Sequence, residues 1–284
     1  MDTDITLREV TLKVPGLKNR YRFLHITDSH LLLYDEKTQT DARNAYYATR
    51  VKDFMYNGRT TTEYFEVLWD YALAHQQEDD PDKLDGVLLT GDIIDFPSPE
   101  NLQFLQEHLA KLKIPHVYVM GNHDWSYFDD YHTAHSMIAD RPLLAGVSGG
   151  NVHVHKAKIG ELTFVAVDDT LDMYEDGVAE TLADALSGEK NVLLMQHIPF
   201  YIPSLHEDTV KRWKSDLNLG GGDVDRGDNW KKVKALILAE DSPVRALITG
   251  HLHFWHEDSF EGKIPQFVTA LSAFGNAAIF NIEG

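Results

Sequence analysis

Short apolar runs alternate with amphipathic stretches along almost the whole chain. Ile5–Val14 alternates apolar and polar residues with a period of two, which predicts a strand. Gly86–Thr90 is a compact apolar run bounded by a turn signal, which is also typical of a strand. The other predicted strands are Tyr21–Thr27, Val117–Met120, Leu162–Val167, Val192–Met195, Val244–Thr249, Gln266–Leu271 and Ala277–Ile282.

Helical periodicity appears between several of these strands. Thr62–His75 begins with a capping-box-like sequence and repeats apolar residues at helical spacing. Ser98–Lys111 begins Ser-Pro-Glu, and Pro99 suits the first turn of a helix. Ala179–Leu186 and Asn229–Ala239 are two further predicted helices. Alternating strands and helices predict an α/β fold, and the lower helical content after residue 152 predicts a second sheet with mixed pairing.

Leu31–Arg59 departs from this pattern, because it is rich in Tyr, Thr, Asp and Arg and has weak periodicity. A long insertion directly after a strand that carries candidate ligands is usually functional or mobile, so we interpret residues 31–59 as a candidate lid. Gly220–Gly222 and Asp223–Asp228 form a second polar segment. The chain has no internal repeat, low-complexity stretch or linker, so we expect residues 1–284 to form a single domain.

Composition narrows the class of protein. The chain has 284 residues, of which 43% are hydrophobic and 25% charged, as in soluble globular proteins. A formal charge of -19 disfavours long nucleic acids and anionic membrane surfaces as partners. There is no cysteine, so nitrogen and oxygen atoms must hold any metal. The lack of cysteine also fits a reducing compartment.

The N-terminal residues Met1–Val10 are polar and acidic and lack the apolar core of a signal peptide. No run of about 18 apolar residues is present, so we expect no membrane span. These features predict a cytoplasmic protein. The oligomeric state is left open.

Metal-ligand side chains follow five of the predicted strands. Because ligands bind beyond the carboxyl ends of strands in open α/β sheets, these side chains should surround one point. Carboxylate, amide and imidazole groups are the ligands that hard-to-borderline divalent metals take. The clusters are Asp28-Ser29-His30, Gly91-Asp92-Ile93-Ile94-Asp95, Gly121-Asn122-His123-Asp124, His197, and Gly250-His251-Leu252-His253.

Taken singly, most of these clusters have an ordinary structural explanation. A Gly-Asp pair is usually a turn, and a lone histidine such as His197 after an apolar strand is usually a core residue. The pair His251 and His253 beside Gly250 favours a metal, because residues i and i+2 of an extended segment point to one side. The order of all five clusters, each after a strand, carries the argument for a metal site.

In that order the clusters resemble the signature of the calcineurin-like metallophosphoesterases: D-x-H, G-D-x-x-D, G-N-H-D/E, a lone H, and G-H-x-H. Every block is present between Asp28 and His253. The resemblance implies a four-layer α/β/β/α sandwich of two mixed sheets flanked by helices. It also implies two divalent metal ions, Mn, Fe or Zn, between loops at the sheet edge.

The resemblance further implies which side chains hold each ion, with Asp92 bridging the two. The first ion would be held by Asp28, His30, Asp92 and His253. The second ion would be held by Asp92, Asn122, His197 and His251.

The resemblance and two-metal chemistry together imply a mechanism, in which a metal-bridged hydroxide attacks phosphorus in line. His123 is outside the ligand set and would protonate the leaving oxygen as a general acid. Asp95 is the candidate to hold the His123 ring in the correct tautomer, and Asp124 is the competing candidate. The alternative role for Asp124 is that of a loop-capping carboxylate.

One position departs from the protein Ser/Thr phosphatase branch of this family. That branch has an arginine directly after the second Asp of G-D-x-x-D, where this chain has Phe96. Protein phosphatase activity is therefore not expected. The sequence Gly222–Gly227 resembles the missing motif, but it is one residue short and follows no apolar strand, so we interpret it as a flexible polar loop.

Substrate-binding residues are less well indicated. One set could stack a base or pack beneath the His123 loop, and it comprises Trp125, Tyr127 and Phe128. The other set could contact a phosphate or form a solvated surface, and it comprises Arg43, Arg50, Lys52 and Arg59. His256 could support the metal site or be merely exposed.

The sequence as a whole predicts a hydrolase of phosphoric esters that acts on a small phosphomonoester or phosphodiester. A phosphatase and a phosphodiesterase both remain open. The alternative is a catalytically silent metal-binding scaffold or interaction module of the same fold. The complete ligand set, together with His123, favours the enzyme.

Overall fold

The structure, a computed structural model, describes residues 5–171, 173–217, 219–221 and 227–284. Its strands are β1 (Thr6–Lys13), β2 (Tyr21–Ile26), β3 (Gly86–Thr90), β4 (His116–Val119), β5 (Val154–Ile159), β6 (Leu162–Val167), β7 (Val192–Met195), β8 (Val244–Thr249), β9 (His256–Phe260), β10 (Ile264–Val268) and β11 (Asn276–Glu283). Its α-helices are α1 (Asp41–Asp53), α2 (Thr61–Ala74), α3 (Pro99–Leu109), α4 (Ala134–Ala139), α5 (Val178–Leu186), α6 (Pro203–Trp213) and α7 (Gly227–Leu238). Short 3-10 turns lie at Phe128–Asp130, Arg141–Gly146 and Ser272–Phe274.

These strands form two mixed sheets. The first has five strands in the order β1-β11-β2-β3-β4, and only the β11–β2 pair is antiparallel. The second has six strands in the order β5-β6-β7-β8-β10-β9, with a parallel centre and an antiparallel pair at each edge. The predicted α/β class with two mixed sheets is confirmed.

Side-chain alternation along the strands divides the core into layers. Phe23 of β2 and Phe164 of β6 point between the two sheets, where their rings meet edge to face with centroids 4.9 Å apart. Leu24 points from the opposite face of the same sheet, where it packs with α2 and α3. The helices α5, α6 and α7 cover the outer face of the second sheet in the same way. Helix, sheet, sheet and helix therefore form four layers, as expected.

Local signals account for the ends of two helices that the sequence predicts. Thr60 and Glu63 form a capping box, in which each side chain accepts a hydrogen bond from the backbone N–H of the other residue. Ser98 caps α3 through the backbone N–H of Asn101, and Pro99 occupies the first turn, where its missing N–H is not needed.

Several elements of the structure were not predicted from the sequence. β5 and β9 lie at the two edges of the second sheet, where polar side chains face solvent and the apolar pattern is weak. α1 buries no residue completely, so its apolar stripe is also weak. β10 begins at Ile264 and ends at Val268, whereas Gln266–Leu271 was expected, because the chain leaves the sheet before the turn at Ser272.

The flexible polar loop was predicted over Gly222–Gly227. Residues 222–226 lie outside the described residues, and Gly227 is not in a loop but begins α7. Among the described helices, none combines the length and the apolar content needed to cross a membrane.

Candidate dinuclear metal site

The predicted ligands lie in loops just beyond the carboxyl ends of β2, β3, β4, β7 and β8, at one edge of the sandwich. Backbone hydrogen bonds join these loops within each sheet, from Asp28 N to Gly91 O (2.9 Å) and from Gly250 N to His197 O (3.1 Å). The backbone N–H of His251 donates to Asp28 Oδ2 at 2.9 Å and so links the two sheets. The topology therefore brings residues from distant parts of the chain to one site.

Ligand residues in these loops have left-handed backbone conformations, which non-glycine residues rarely adopt. The values of φ are 52° at Asp28, 43° at His30, 50° at Asp92, 72° at His251 and 64° at His253. Strained residues of this kind persist only where the surrounding structure holds them, and they concentrate at functional sites.

Two glycines allow the loops to approach one another. A Cβ atom on Gly121 would overlap the carboxylate of Asp92, and one on Gly250 would overlap the hydroxyl of Thr27. Both positions therefore need glycine for the ligand loops to pack.

One group of ligating atoms comes from Asp28, His30 and His253, which lie close enough to share an ion. His253 Nε2 lies 3.2 Å from Asp28 Oδ1 and 3.3 Å from His30 Nε2. His30 Nε2 also lies 3.9 Å from Asp92 Oδ2. These four residues match the set predicted for the first ion.

A second group comes from Asp28, Asp92 and His197. His197 Nε2 lies 3.2 Å from Asp92 Oδ2, and the His251 ring lies 5.1 Å from the His197 ring. Asn122 Oδ1 is buried without a hydrogen-bond partner. Because a buried polar atom without a partner is destabilising, this oxygen fits a bound cation. The residues present thus suit two divalent ions with oxygen and nitrogen ligands.

The protonation states of two of the predicted histidine ligands suit metal binding, whereas that of His197 opposes it. Burial lowers the pKa of His30 to about 4 and that of His251 to about 3, so both imidazoles are neutral at pH 7 and offer a lone pair. Burial opposes charge on His197, but the carboxylate of Asp92 raises its pKa to about 10. An ion that binds Nε2 of His197 must therefore displace a proton.

His123 lies beside these two groups, and its ring belongs to a third group of possible ligands with His30 and Asp95. Its side chain is 24% exposed, and its backbone N–H donates to Asp92 Oδ1 at 2.8 Å. Its Nδ1 lies 3.6 Å from Asp95 Oδ1, which is beyond ordinary hydrogen-bond length. The role predicted for Asp95 towards His123 therefore lacks a direct hydrogen bond in this structure.

Asp95 is instead bonded to two other side chains. Its Oδ1 lies 2.8 Å from His30 Nδ1, and its Oδ2 accepts from Arg50 Nε at 2.9 Å. Burial opposes its charge, but Arg50 and His30 hold the pKa of Asp95 below its usual value. A carboxylate at Nδ1 favours the His30 tautomer that leaves Nε2 free for a metal.

Asp124 has the loop-capping geometry. Its carboxylate accepts hydrogen bonds from the backbone N–H groups of Asp92 (2.9 Å), Ile94 (3.0 Å) and Gly121. Burial and the Asp92 carboxylate raise the pKa of Asp124 to about 7. No described contact joins Asp124 to His123, so Asp124 shapes two ligand loops.

The three aromatic residues after His123 divide into two kinds. Trp125 is fully buried, and its Nε1 donates to Thr170 Oγ1 at 3.0 Å. Tyr127 is also buried and stacks on Phe96, so the position that is arginine in the Ser/Thr phosphatases serves here in packing. Phe128 is exposed.

The basic side chains predicted to contact a phosphate lie in different surroundings. Arg50 reaches the site through Asp95, whereas Arg43 pairs with Asp129 at 3.0 Å outside it. Lys52 is exposed on α1. His256 lies between Ser204 (3.2 Å) and Asp208 (3.1 Å), away from the ligand group.

Sequence reasoning missed the face of α1 that turns towards the site. Tyr46, Arg50 and Phe54 recur at intervals of four residues, and the Phe54 ring stacks on His30 with centroids 4.5 Å apart. That spacing could have identified a helix within the insertion. Tyr131, which bonds to Asn122, was also missed, because no local pattern marks it.

Comparisons with known proteins bear on the family and the fold of this chain. The family described as calcineurin-like phosphoesterase matches residues 21–254. A dimetal phosphatase from Danio rerio has a similar structure, with a TM-score of 0.53 and 14% identity over 89% of this chain and 88% of that one. Purple acid phosphatase PPD1 from yellow lupin (Lupinus luteus) has a TM-score of 0.50 and 11% identity over 92% of this chain and 45% of that one. No curated protein matches the sequence. At these identities the structural likeness shows the fold alone.

Proposed function

Because this chain belongs to the calcineurin-like phosphoesterase family, we propose that it hydrolyses a small phosphomonoester or phosphodiester at the site formed by its five ligand loops. The observation that carries the proposal is the pair of ligand groups that share Asp28, with Asp92 in reach of His30 (3.9 Å), beside the partly exposed His123. The unpartnered Oδ1 atom of Asn122 supports the same assignment.

The ligand assignment proposed from the sequence is retained. Asp28, His30, Asp92 and His253 would hold one divalent ion. Asp92, Asn122, His197 and His251 would hold the other. Two such ions, when bound, lower the pKa of water and neutralise charge on the phosphoryl oxygens. Manganese, iron and zinc all suit these ligands.

Side chains of the protein hold the ligand loops in place and supply a proton. Asp124 fixes the loops of Asp92 and Gly121 through their backbone N–H groups, so the ligands need little rearrangement. His123 is the proposed general acid, because its ring is partly exposed and is not part of the proposed ligand set. Arg50 keeps Asp95 ionised next to His30.

A metal-reconstitution assay tests the proposal. Metal-free protein would be reloaded separately with Mn, Fe, Zn and Mg, and offered 4-nitrophenyl phosphate, bis(4-nitrophenyl) phosphate and a cyclic nucleotide. Metal-dependent turnover is expected, and the preferred ester distinguishes a phosphatase from a phosphodiesterase. Two bound ions per chain without turnover of any ester would contradict the proposal and favour the catalytically silent scaffold.

His123→Asn tests the general acid separately. We expect kcat to fall by about 10²- to 10⁴-fold for an alkyl phosphate, with metal content unchanged. The loss should be smaller for 4-nitrophenyl phosphate, because its leaving group needs little protonation. The control is His135→Asn, since His135 is a 74% exposed histidine that pairs with Asp130 outside the site. Equal losses for both esters would remove His123 from this role.

A further inference from the structure

A group of three aromatic rings, of which two are exposed, lies beside the loop of the proposed general acid. Tyr131 is 44% exposed and Phe128 is 37% exposed, although both follow the loop that carries Asn122 and His123. The ring of Tyr131 lies 6.0 Å from that of His123. Tyr46 of α1 completes the group, which we name the aromatic rim (Tyr46, Phe128 and Tyr131).

Stacked rings hold the Tyr131 ring in place. It stacks on His132 with centroids 3.9 Å apart, and His132 stacks on the buried Trp125 at 4.4 Å. Its hydroxyl accepts a hydrogen bond from Asn122 Nδ2 at 2.8 Å. The rings of Trp125, His132 and Tyr131 therefore form a nearly parallel stack, and Tyr131 is its exposed member. The hydrogen bond to Asn122 ties the Tyr131 ring to a proposed metal ligand.

The other side of the rim comes from the insertion. Phe128 and Tyr46 stack with centroids 4.2 Å apart and an interplanar angle of 13°. The guanidinium of Arg50 lies 5.6 Å from the Tyr46 ring, which places this pair next to Asp95. Two chain segments far apart in sequence thus bring aromatic rings to the neighbourhood of Asp95 and of the loop that carries His123.

Exposed aromatic rings in fixed orientations are suited to stacking with a planar partner, because little further ordering is required on binding. In the proposed function, His123 protonates the leaving oxygen, so the leaving group lies on the His123 side of phosphorus. The rim is on that side. A planar part of the leaving group would therefore meet these rings while the phosphoryl group is at the ligand loops.

We propose that the aromatic rim is a binding site for a planar aromatic ring in the leaving group, so that this enzyme prefers aryl-containing or nucleoside phosphoesters to aliphatic ones. This inference rests on the proposed function. Stacking of a base on an aromatic side chain corresponds to roughly 5- to 150-fold in affinity. A preference of that size is expected between esters that differ only in the ring.

Benzyl phosphate and cyclohexylmethyl phosphate form a matched pair, because both leave through a primary alkoxide of similar size. The wild-type protein should hydrolyse the benzyl ester with the higher kcat/KM. Tyr131→Leu should abolish most of that preference, and Tyr131→Phe should retain it, provided that both variants keep two bound ions. The control is Tyr71→Leu, which removes a half-buried ring of α2 whose centroid lies 4.3 Å from that of His75.

Adenosine 5′-phosphate and ribose 5-phosphate extend the comparison to nucleotides, since they share the same leaving oxygen. A preference for the adenosine ester that Tyr131→Leu removes would identify a nucleobase as the ring. A preference confined to the benzyl ester would identify a small aryl group. Both results support the aromatic subsite.

Binding of benzylphosphonate and cyclohexylmethylphosphonate, measured by calorimetry on metal-loaded protein, tests the subsite without turnover. Tighter binding of the benzyl compound, lost in Tyr131→Leu, supports the inference even if no ester is hydrolysed. Equal binding of the two compounds, or equal kcat/KM for the two esters, would overturn it while leaving phosphoester hydrolysis intact. If instead the proposed function is wrong, no ester is hydrolysed with any metal.

Discussion

At the scale of single residues, the site depends on side chains that neighbouring groups hold in strained or buried positions. A non-glycine residue in a left-handed conformation costs about 1–3 kcal/mol, and Asp28, His30 and Asp92 all adopt it. Hydrogen bonds from neighbouring loops hold the Asp28 carboxylate and the backbone around it. The strain is therefore balanced by the packing of loops from both sheets.

The structure shows which side chains are bonded to Asp95. Its bond to His30 Nδ1 predicts that Asp95→Asn weakens metal binding about 10- to 100-fold, because the histidine loses the carboxylate that fixes its tautomer. Metal content after dialysis against a graded chelator measures the effect.

Asp216→Asn is the control for that change. Asp216 also bonds to a histidine, at Nε2 of His206 (2.8 Å), but it is 78% exposed and lies outside the ligand loops. Unchanged metal affinity in Asp95→Asn, with a defect only in proton transfer, would instead favour the role towards His123 that the sequence predicted.

At the scale of elements, α1 differs from the other long helices because it buries no residue completely. A helix of 13 residues is marginally stable without tertiary contacts. Side chains hold it in place: Arg43 bonds to Asp129 and lies 3.7 Å from the centre of the Tyr127 ring, while Arg50 bonds to Asp95. Its position over the site thus depends on a few polar and aromatic contacts.

Arg43→Ala should loosen α1 without unfolding the protein. We expect faster amide hydrogen exchange across residues 41–53 and unchanged exchange in α2, since local opening follows the number of buried contacts. Lys52→Ala is the control, because Lys52 is an exposed residue of the same helix. No difference between the two variants would show that α1 is held by other contacts.

At the scale of the whole molecule, one buried arginine joins the segment after β4 of the first sheet to the second sheet. Arg141 is 4% exposed and pairs with Asp168, which directly follows β6, and with Glu175 at 2.7 Å. Its guanidinium lies 5.3 Å from the centre of the Trp125 ring, beneath Tyr131 and His132. The same cluster therefore supports both the sandwich and the loop that carries His123.

Arg141→Met should lower the free energy of unfolding by about 3–5 kcal/mol, because it leaves the buried Asp168 without its partner. Urea denaturation measures this change. Arg8→Met is the control, since Arg8 pairs with Glu257 on the surface and should contribute less than about 1 kcal/mol. Similar losses in both variants would mean that the buried pair has no special structural role.

The sequence by itself determined the buried strands, the capped helices and the family. Gly86–Thr90, Leu162–Val167, Val192–Met195 and Val244–Thr249 are strands with the predicted bounds, because most of their positions are apolar and buried. The metal-ligand set was also read from local clusters, and the structure brings these residues together, although their role as ligands stays a prediction.

Only the tertiary structure decided which side chains surround those clusters. The edge strands β5 and β9 are stabilised by backbone pairing to neighbours, which leaves little apolar signal in their own residues. The partners of Asp95 and the exposure of Tyr131 depend on segments that meet only after folding. Local periodicity records which face of an element is buried, but contacts between distant loops follow from how the two sheets pack.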